Sequence, residues 1–198
     1  MLSAVLISLT GVMMPGPVFA VTVAKSYDDI KAGSFIALGH GVVEFPLMIL
    51  IYLGFAGFFA SGFLRFLVSL IGGVMLIYMA IGMLKVKTSK NFGGGKSIHH
   101  NSLVAGILTT AANPYFFLWW ATIGFALIVN TTIFGLIGFV TFMFAHWLCD
   151  FSWYTSLSIG IFKSRKILGE KTRKWLFNIC ALILMFFGLW FILSALYP

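Results

Sequence analysis

Charge is what this chain has least of. Only 9% of its 198 residues are Asp, Glu, Lys or Arg, against about 25% in ordinary soluble domains. Acids are rarest, with five against 13 Lys and Arg, while 61% of the chain is hydrophobic. A water-soluble globule is excluded. Cysteine is scarce as well: Cys149 and Cys180 stand far apart in apolar runs, with no CxxC pair, which argues against a thiol-based electron carrier or membrane enzyme. Alternating ten-residue segments are missing too, and with them the signature of a membrane β-barrel. Gly93-Gly94-Gly95-Lys96-Ser97 resembles the tail of a phosphate loop, but Lys90 stands where the first glycine belongs and no strand precedes it. That segment reads as a flexible linker.

What the chain has in abundance is long apolar runs. They predict an all-α polytopic membrane protein with six transmembrane helices, at about 3–24, 33–60, 63–84, 102–128, 133–162 and 175–197. Residues 1–198 read as a single transmembrane domain, with no room for a soluble one. The first run reads as a span rather than a signal peptide, because no basic residue precedes it. Pro15, Pro17, Pro46 and Pro114 lie inside these runs, as membrane helices tolerate when neighbours satisfy the freed backbone groups.

The basic residues sort by loop. Loop one holds Lys25 and Lys31, loop three Lys85, Lys87, Lys90 and Lys96, and loop five Lys163, Arg165, Lys166, Lys171, Arg173 and Lys174, which is 12 of the 13; only Arg65 lies by an even turn. The positive-inside rule puts the odd loops in the cytoplasm and both termini outside a plasma membrane. The net charge of +8 is thereby explained without nucleic acid, and loops three and five can meet anionic lipid.

Helix two reads Gly39-His40-Gly41-Val42-Val43-Glu44-Phe45 and helix five reads Ala145-His146-Trp147-Leu148-Cys149-Asp150-Phe151; both are His-x3-acid-Phe, 106 residues apart. Gly82 and Gly188 share that offset, and helices one and four each carry a proline motif, Pro15-Gly16-Pro17 and Asn113-Pro114. The pattern predicts two three-helix repeats, about 1–84 and 102–198, joined by a basic cytoplasmic linker at 85–101. An odd number of helices per repeat makes the second inverted relative to the first. Pro15 and Pro114 each lie 12 residues into their spans, about 18 Å at 1.5 Å per residue, and Glu44 and Asp150 fall at similar depth.

Glu44 and Asp150 are the only acids inside the predicted spans. Each costs about 2.5–3.5 kcal/mol to insert unless it has a partner or a wet cavity. An i, i+4 spacing puts His40 beside Glu44 and His146 beside Asp150, so each pair can share a proton. The bland alternative is that the pairs only hold helices together. Pro15-Gly16-Pro17 and Asn113-Pro114 read as mid-membrane breaks whose half-helix ends can hold charged parts of a solute, with the Asn113 amide serving freed carbonyls or the solute; a plain kink is the alternative. Phe116, Phe117, Trp119 and Trp120 read as lipid-facing or packing side chains rather than a ligand cage.

The Pro-Gly-Pro of the first span, the Lys-bearing loop with Gly33, Gly39-His40 with an acid four residues on, and Asn113-Pro114 together resemble the LysE/RhtB family of amino-acid exporters, over nearly the whole chain. The resemblance implies ion-gradient-driven efflux of amino acids or related metabolites, with Pro15, Gly16, Pro17, Glu44, Asn113 and Pro114 at matching motif positions. Two positions depart from that pattern: Glu44 stands where Asp is usual, and Tyr115 where Lys is usual. The resulting expectation is a secondary exporter, not an enzyme, that works by alternating access. The solute is a small molecule, the coupling ion a proton or sodium, and no cofactor or resident metal is called for; self-association is left open. Pro15, Gly16, Pro17, Asn113 and Pro114 are the candidates for binding solute, and His40, Glu44, His146 and Asp150 for ion coupling. A divalent-metal exporter is the runner-up, since two His, two acids and Cys149 offer N and O ligands.

The topology is open to a direct check. A single cysteine placed between Lys85 and Lys96, on a background lacking Cys149 and Cys180, is expected to escape an impermeant thiol reagent in intact cells and to react once they are broken. Labelling in intact cells would reverse the orientation.

Overall fold

The computed structural model describes residues 2–59, 61–85, 97–165 and 170–196, and these are helical apart from short connections. The helices are α1 (Leu2–Val12), α2 (Pro17–Ser26), α3 (Ala32–Leu50), α4 (Ala56–Phe59), α5 (Gly62–Lys85), α6 (Ser97–Ala111), α7 (Pro114–Trp119), α8 (Phe125–Thr132), α9 (Gly135–Ser164) and α10 (Glu170–Leu196). Two π-helical turns, Ile51–Phe55 and Trp120–Gly124, join α3 to α4 and α7 to α8. Five stretches are long and apolar enough to cross a membrane: Ala32–Phe59, Gly62–Gly82, Pro114–Thr132, Gly135–Ser164 and Lys174–Leu196. The pair Ser3–Val12 and Pro17–Ser26, bent by 71°, makes a sixth when counted as one broken span. Most of the linker at 85–101, with its Gly93–Gly95 run, lies outside the described residues; from Ser97 onward the backbone is already α6.

Both predicted breaks are present, and their cause is local. Pro15 and Pro17 have no N–H, so the ladder of α1 ends with Met13 N on Leu9 O (3.0 Å) and Met14 N on Gly11 O (3.2 Å). Gly16 is extended, and Pro17 opens α2 at its first position, where a missing donor costs nothing. At the second break Asn113 is extended and its side-chain oxygen accepts from Tyr115 N (3.1 Å), capping α7. The Asn113 oxygen serves an orphan N–H of α7, which leaves the amide NH2 as the group for a freed carbonyl or the solute.

The fourth span differs from its expected limits. The expected spans leave 129–132 as a connection, yet Asn130, Thr131 and Thr132 stay helical, with Thr131 and Thr132 returning their hydroxyls to Ile128 O (2.8 Å) and Val129 O (2.6 Å). The chain turns instead at Ile133–Phe134 and enters α9 at Gly135, whose φ of +67° suits glycine.

Helices pack across the two halves of the chain. α3 lies against α6 and α9, α2 against α9 and α10, α1 against α9, and α5 against α10. The α3–α6 approach is close because Gly39 faces the Leu103 carbonyl and Gly106 the Ile36 carbonyl, each at a distance a Cβ would forbid; small residues give membrane helices van der Waals contact that lipid cannot. At the far end of α9, Ser158 Oγ donates to Ile30 O (2.9 Å) and Arg165 Nη1 to Tyr27 O (2.9 Å), pinning the α2–α3 loop. Gly82 and Gly188 do not share surroundings: Gly188 packs on Gly73 and Ile77, while nothing lies within 4 Å of a Cβ at Gly82.

Two apolar clusters flank one polar level. Along α3, Ile36 and Ala37 belong to the first cluster and Leu47 and Met48 to the second; along α9, Tyr154 belongs to the first and Phe139 and Phe142 to the second. Between them on each helix come the His and the acid. Gly39→Val should force α3 from α6 and lower stability by about 1–3 kcal/mol, read as a lower unfolding temperature in detergent. Gly57→Ala, with open space around it, should leave that temperature unchanged.

Candidate functional site

Four of the sequence-selected residues form one cluster rather than two separate pairs. His40 Nε2 lies 3.1 Å from Glu44 Oε1, and His146 Nε2 lies 3.5 Å from Asp150 Oδ2, as the i, i+4 spacing requires. Each histidine also reaches across to the other helix, His40 to Asp150 Oδ1 (3.7 Å) and His146 to Glu44 Oε1 (3.3 Å). For His146 the acid on α3 is nearer than the one on its own helix. All four are buried, Glu44 to 1% exposure and Asp150 to 2%.

The outer nitrogen of each imidazole is held by a hydroxyl from the opposite half of the chain. His40 Nδ1 is 2.8 Å from Thr110 Oγ1 on α6, and His146 Nδ1 is 2.7 Å from Ser8 Oγ on α1. Ser8 already donates its one hydrogen to Ala4 O (2.7 Å), so it accepts from His146 Nδ1–H and fixes that ring's tautomer. In a neutral His146, Nε2 then presents a lone pair to the carboxyl groups. Their close approach calls for a proton between them, with two seats available: the ring nitrogen or a carboxyl oxygen. Thr110 has only its contact with His40 among the described residues, so its hydroxyl can donate or accept. The two imidazoles are therefore not equivalent.

The cluster forms part of the wall of a cavity of about 700 Å³, within the range of small-molecule sites. Pro15, Gly16, Pro17 and Asn113 also line it, so both helix breaks and the polar cluster share one space. Pro114 itself is buried outside that lining, where it opens α7. Glu44 Oε2 and Asp150 Oδ2 are buried with no hydrogen-bond partner among the described residues, Asp150 Oδ2 having only the 3.5 Å approach of His146 Nε2, and so keep capacity for a proton. One ligand atom each from His40, Glu44 and Asp150 lies within 4.8 Å of the others, close enough to share a cation. Cys149, buried and free, is not one of that group.

Several residues of the site escaped the sequence reading: Ser8 behind His146, and Thr110 and Tyr154 on the cavity wall. Ser8 and Thr110 are single hydroxyls in apolar runs with nothing in the sequence to mark their distant partners. Tyr154, buried on the cavity wall with its ring 6.3 Å from His40, continues the i, i+4 row of His146 and Asp150 and was legible on that ground. The four aromatics pack in or against the second apolar cluster, as expected of packing side chains; Phe116, Trp119 and Trp120 also line the cavity, whereas Phe117 stacks on Phe59. Helical rotation decides this, because four neighbouring aromatics cannot all face one side.

A helical membrane protein whose interrupted helices and buried acids surround a solute-sized cavity is of the transporter class. This chain belongs to the LysE type translocator family, whose model matches residues 9–195. It is 25% identical over 193 residues, covering 91% of this chain and 90% of the relative, to the Bacillus subtilis (strain 168) protein named "Putative amino acid efflux protein YcgF". No solved structure matches it at a significant level.

The Ser8 contact yields a stability test. Ser8→Ala strips the partner from a buried imidazole N–H and should cost about 1–3 kcal/mol, seen as a lower unfolding temperature. Thr10→Ala, which removes only an exposed bond to Ile7 O, should change it far less.

Proposed function

We propose that the protein exports amino acids across the cell membrane by alternating access, with efflux driven by protons. The carrying observation is that Glu44, Asp150, His40 and His146 meet on the wall of the cavity that both helix breaks also line. The name carried by the Bacillus subtilis relative points to amino acids. In this reading the solute ammonium displaces the imidazole contacts and lies at the carboxyl groups of Glu44 and Asp150. Its carboxylate lies at the start of α2, where Pro17 has no N–H and the first backbone bond is Ala20 N on Gly16 O (2.9 Å), leaving the N–H groups of Val18 and Phe19 for an anion.

Coupling follows from competition for the same oxygens. A proton on the cluster and an ammonium on the cluster neutralise the same carboxylates, so binding one favours release of the other, which is the requirement for exchange. The two apolar clusters, one on each side of the polar level along α3 and α9, are suited to seal the cavity alternately. The crossed contacts, His40 to Thr110 and His146 to Ser8, support an inverted repeat within a single domain: each half supplies the acid-bearing helix and the other half its hydroxyl. The charge bias of the loops supports termini on the outside.

A divalent cation is the second reading, favoured by the spacing of the His40, Glu44 and Asp150 ligand atoms. One set of proteoliposomes separates the two. Glu44→Gln and Asp150→Asn keep the volume and remove the titration, so amino-acid efflux driven by a pH gradient is expected to fall to background in each while the protein still inserts. Wild-type rates and pH dependence in both would reduce the cluster to structural hydrogen bonds. Zn²⁺ or Mn²⁺ flux without amino-acid flux in the unmutated protein would favour the cation.

A further inference from the structure

We propose that the solute is a zwitterion with a bulky apolar side chain, and that an aromatic wall contributed by α7 and α10 selects it. This rests on the amino-acid export reading and narrows it to one substrate class.

The cavity has a single carboxylate locus. Among the described residues, Glu44 and Asp150 are the only acids on its wall, both at the central cluster, and no Lys or Arg lines it. A lysine or arginine solute would bring a second cation that finds no second carboxylate locus, and an aspartate or glutamate would bring a second anion that finds no Lys or Arg among the described lining residues, only the imidazoles already held at the carboxylates; an unpaired charge away from water is strongly disfavoured. The charges of a single ammonium and a single carboxylate are the ones this wall can satisfy.

Much of the remaining wall is aromatic, beside Val12, Met14, Leu118, Asn113 and Thr122. Tyr115, Phe116 and Trp119 face it from α7, and Phe186, Phe187 and Trp190 from α10. These rings are positioned rather than loose. Trp190 Nε1 donates to Tyr115 Oη (2.6 Å), and Trp190 stacks with Phe186 at 6.1 Å and 28°. Trp119 lies so near Gly11 that a Cβ there would meet its indole at 3.2 Å. Fixed aromatic faces reward large apolar groups and offer little to a methyl. At about 700 Å³, the space is also larger than a small amino acid can fill. Aromatic faces can draw a cation as well, which makes lysine the sharpest competitor to test.

The full-length protein in proteoliposomes, preloaded with equal concentrations of labelled leucine, phenylalanine, alanine, lysine and glutamate, decides the matter. Leucine and phenylalanine are expected to leave about tenfold faster than alanine, with lysine and glutamate at the level of protein-free vesicles. Trp190→Ala and Phe187→Ala should lower the phenylalanine-to-alanine rate ratio several-fold. If either fails to run as a single species in size exclusion, Trp190→Leu or Phe187→Leu takes its place and should lower the same ratio. Lysine or glutamate moving as fast as leucine would overturn this substrate class and leave amino-acid export standing. An unchanged ratio in the folded variants would overturn the role of the wall. Failure to move any amino acid would overturn the export reading itself, and this inference with it.

Discussion

Glu44 and Asp150 share their oxygens with His40 and His146 at distances of 3.1–3.7 Å, and the surroundings of that contact follow from the cost of keeping carboxylates out of water. Each acid would cost about 2.5–3.5 kcal/mol to insert alone. Two imidazoles lower that cost, and two hydroxyls, from Ser8 and Thr110, hold the imidazoles in turn. The shell is incomplete: one oxygen of each acid has no hydrogen bond. A site meant only to join helices would gain from closing that gap, whereas a site that exchanges ligands needs it.

Two helical ladders open onto the same cavity. Pro15, Pro17 and Pro114 interrupt them because proline lacks the N–H the ladder needs, and both interruptions border the cavity. Glycines then let α3 and α6 touch at Gly39 and Gly106, bringing Thr110 within reach of His40. The aromatic residues of α7 and α10 add a largely apolar stretch of wall beside the cluster.

Much of the fold was legible because membrane spans are written in composition. The six apolar runs have six counterparts, counting the bent pair as one span, and both helix breaks lie at the prolines that marked them. The limits were less secure: 130–132 stay helical, their threonines returning hydroxyls to the backbone, where the expected spans left a connection. The matched glycines 82 and 188 differ in packing: among the described residues Gly188 meets Gly73 and Ile77, and Gly82 meets none.

From its own spacing the sequence determined that a histidine and an acid would lie together on each of two helices, because i, i+4 neighbours meet wherever the helix goes. It also determined where two helices would break, because proline lacks the donor the ladder requires. Only the tertiary structure decided that the two pairs would fuse into one cluster, that Ser8 and Thr110 would hold the outer nitrogens, and that Phe116 and Trp119 would face the cavity while Phe117 turned to Phe59. Those outcomes depend on helix rotation and on contacts 70 and 138 residues apart in the chain, which no local pattern encodes.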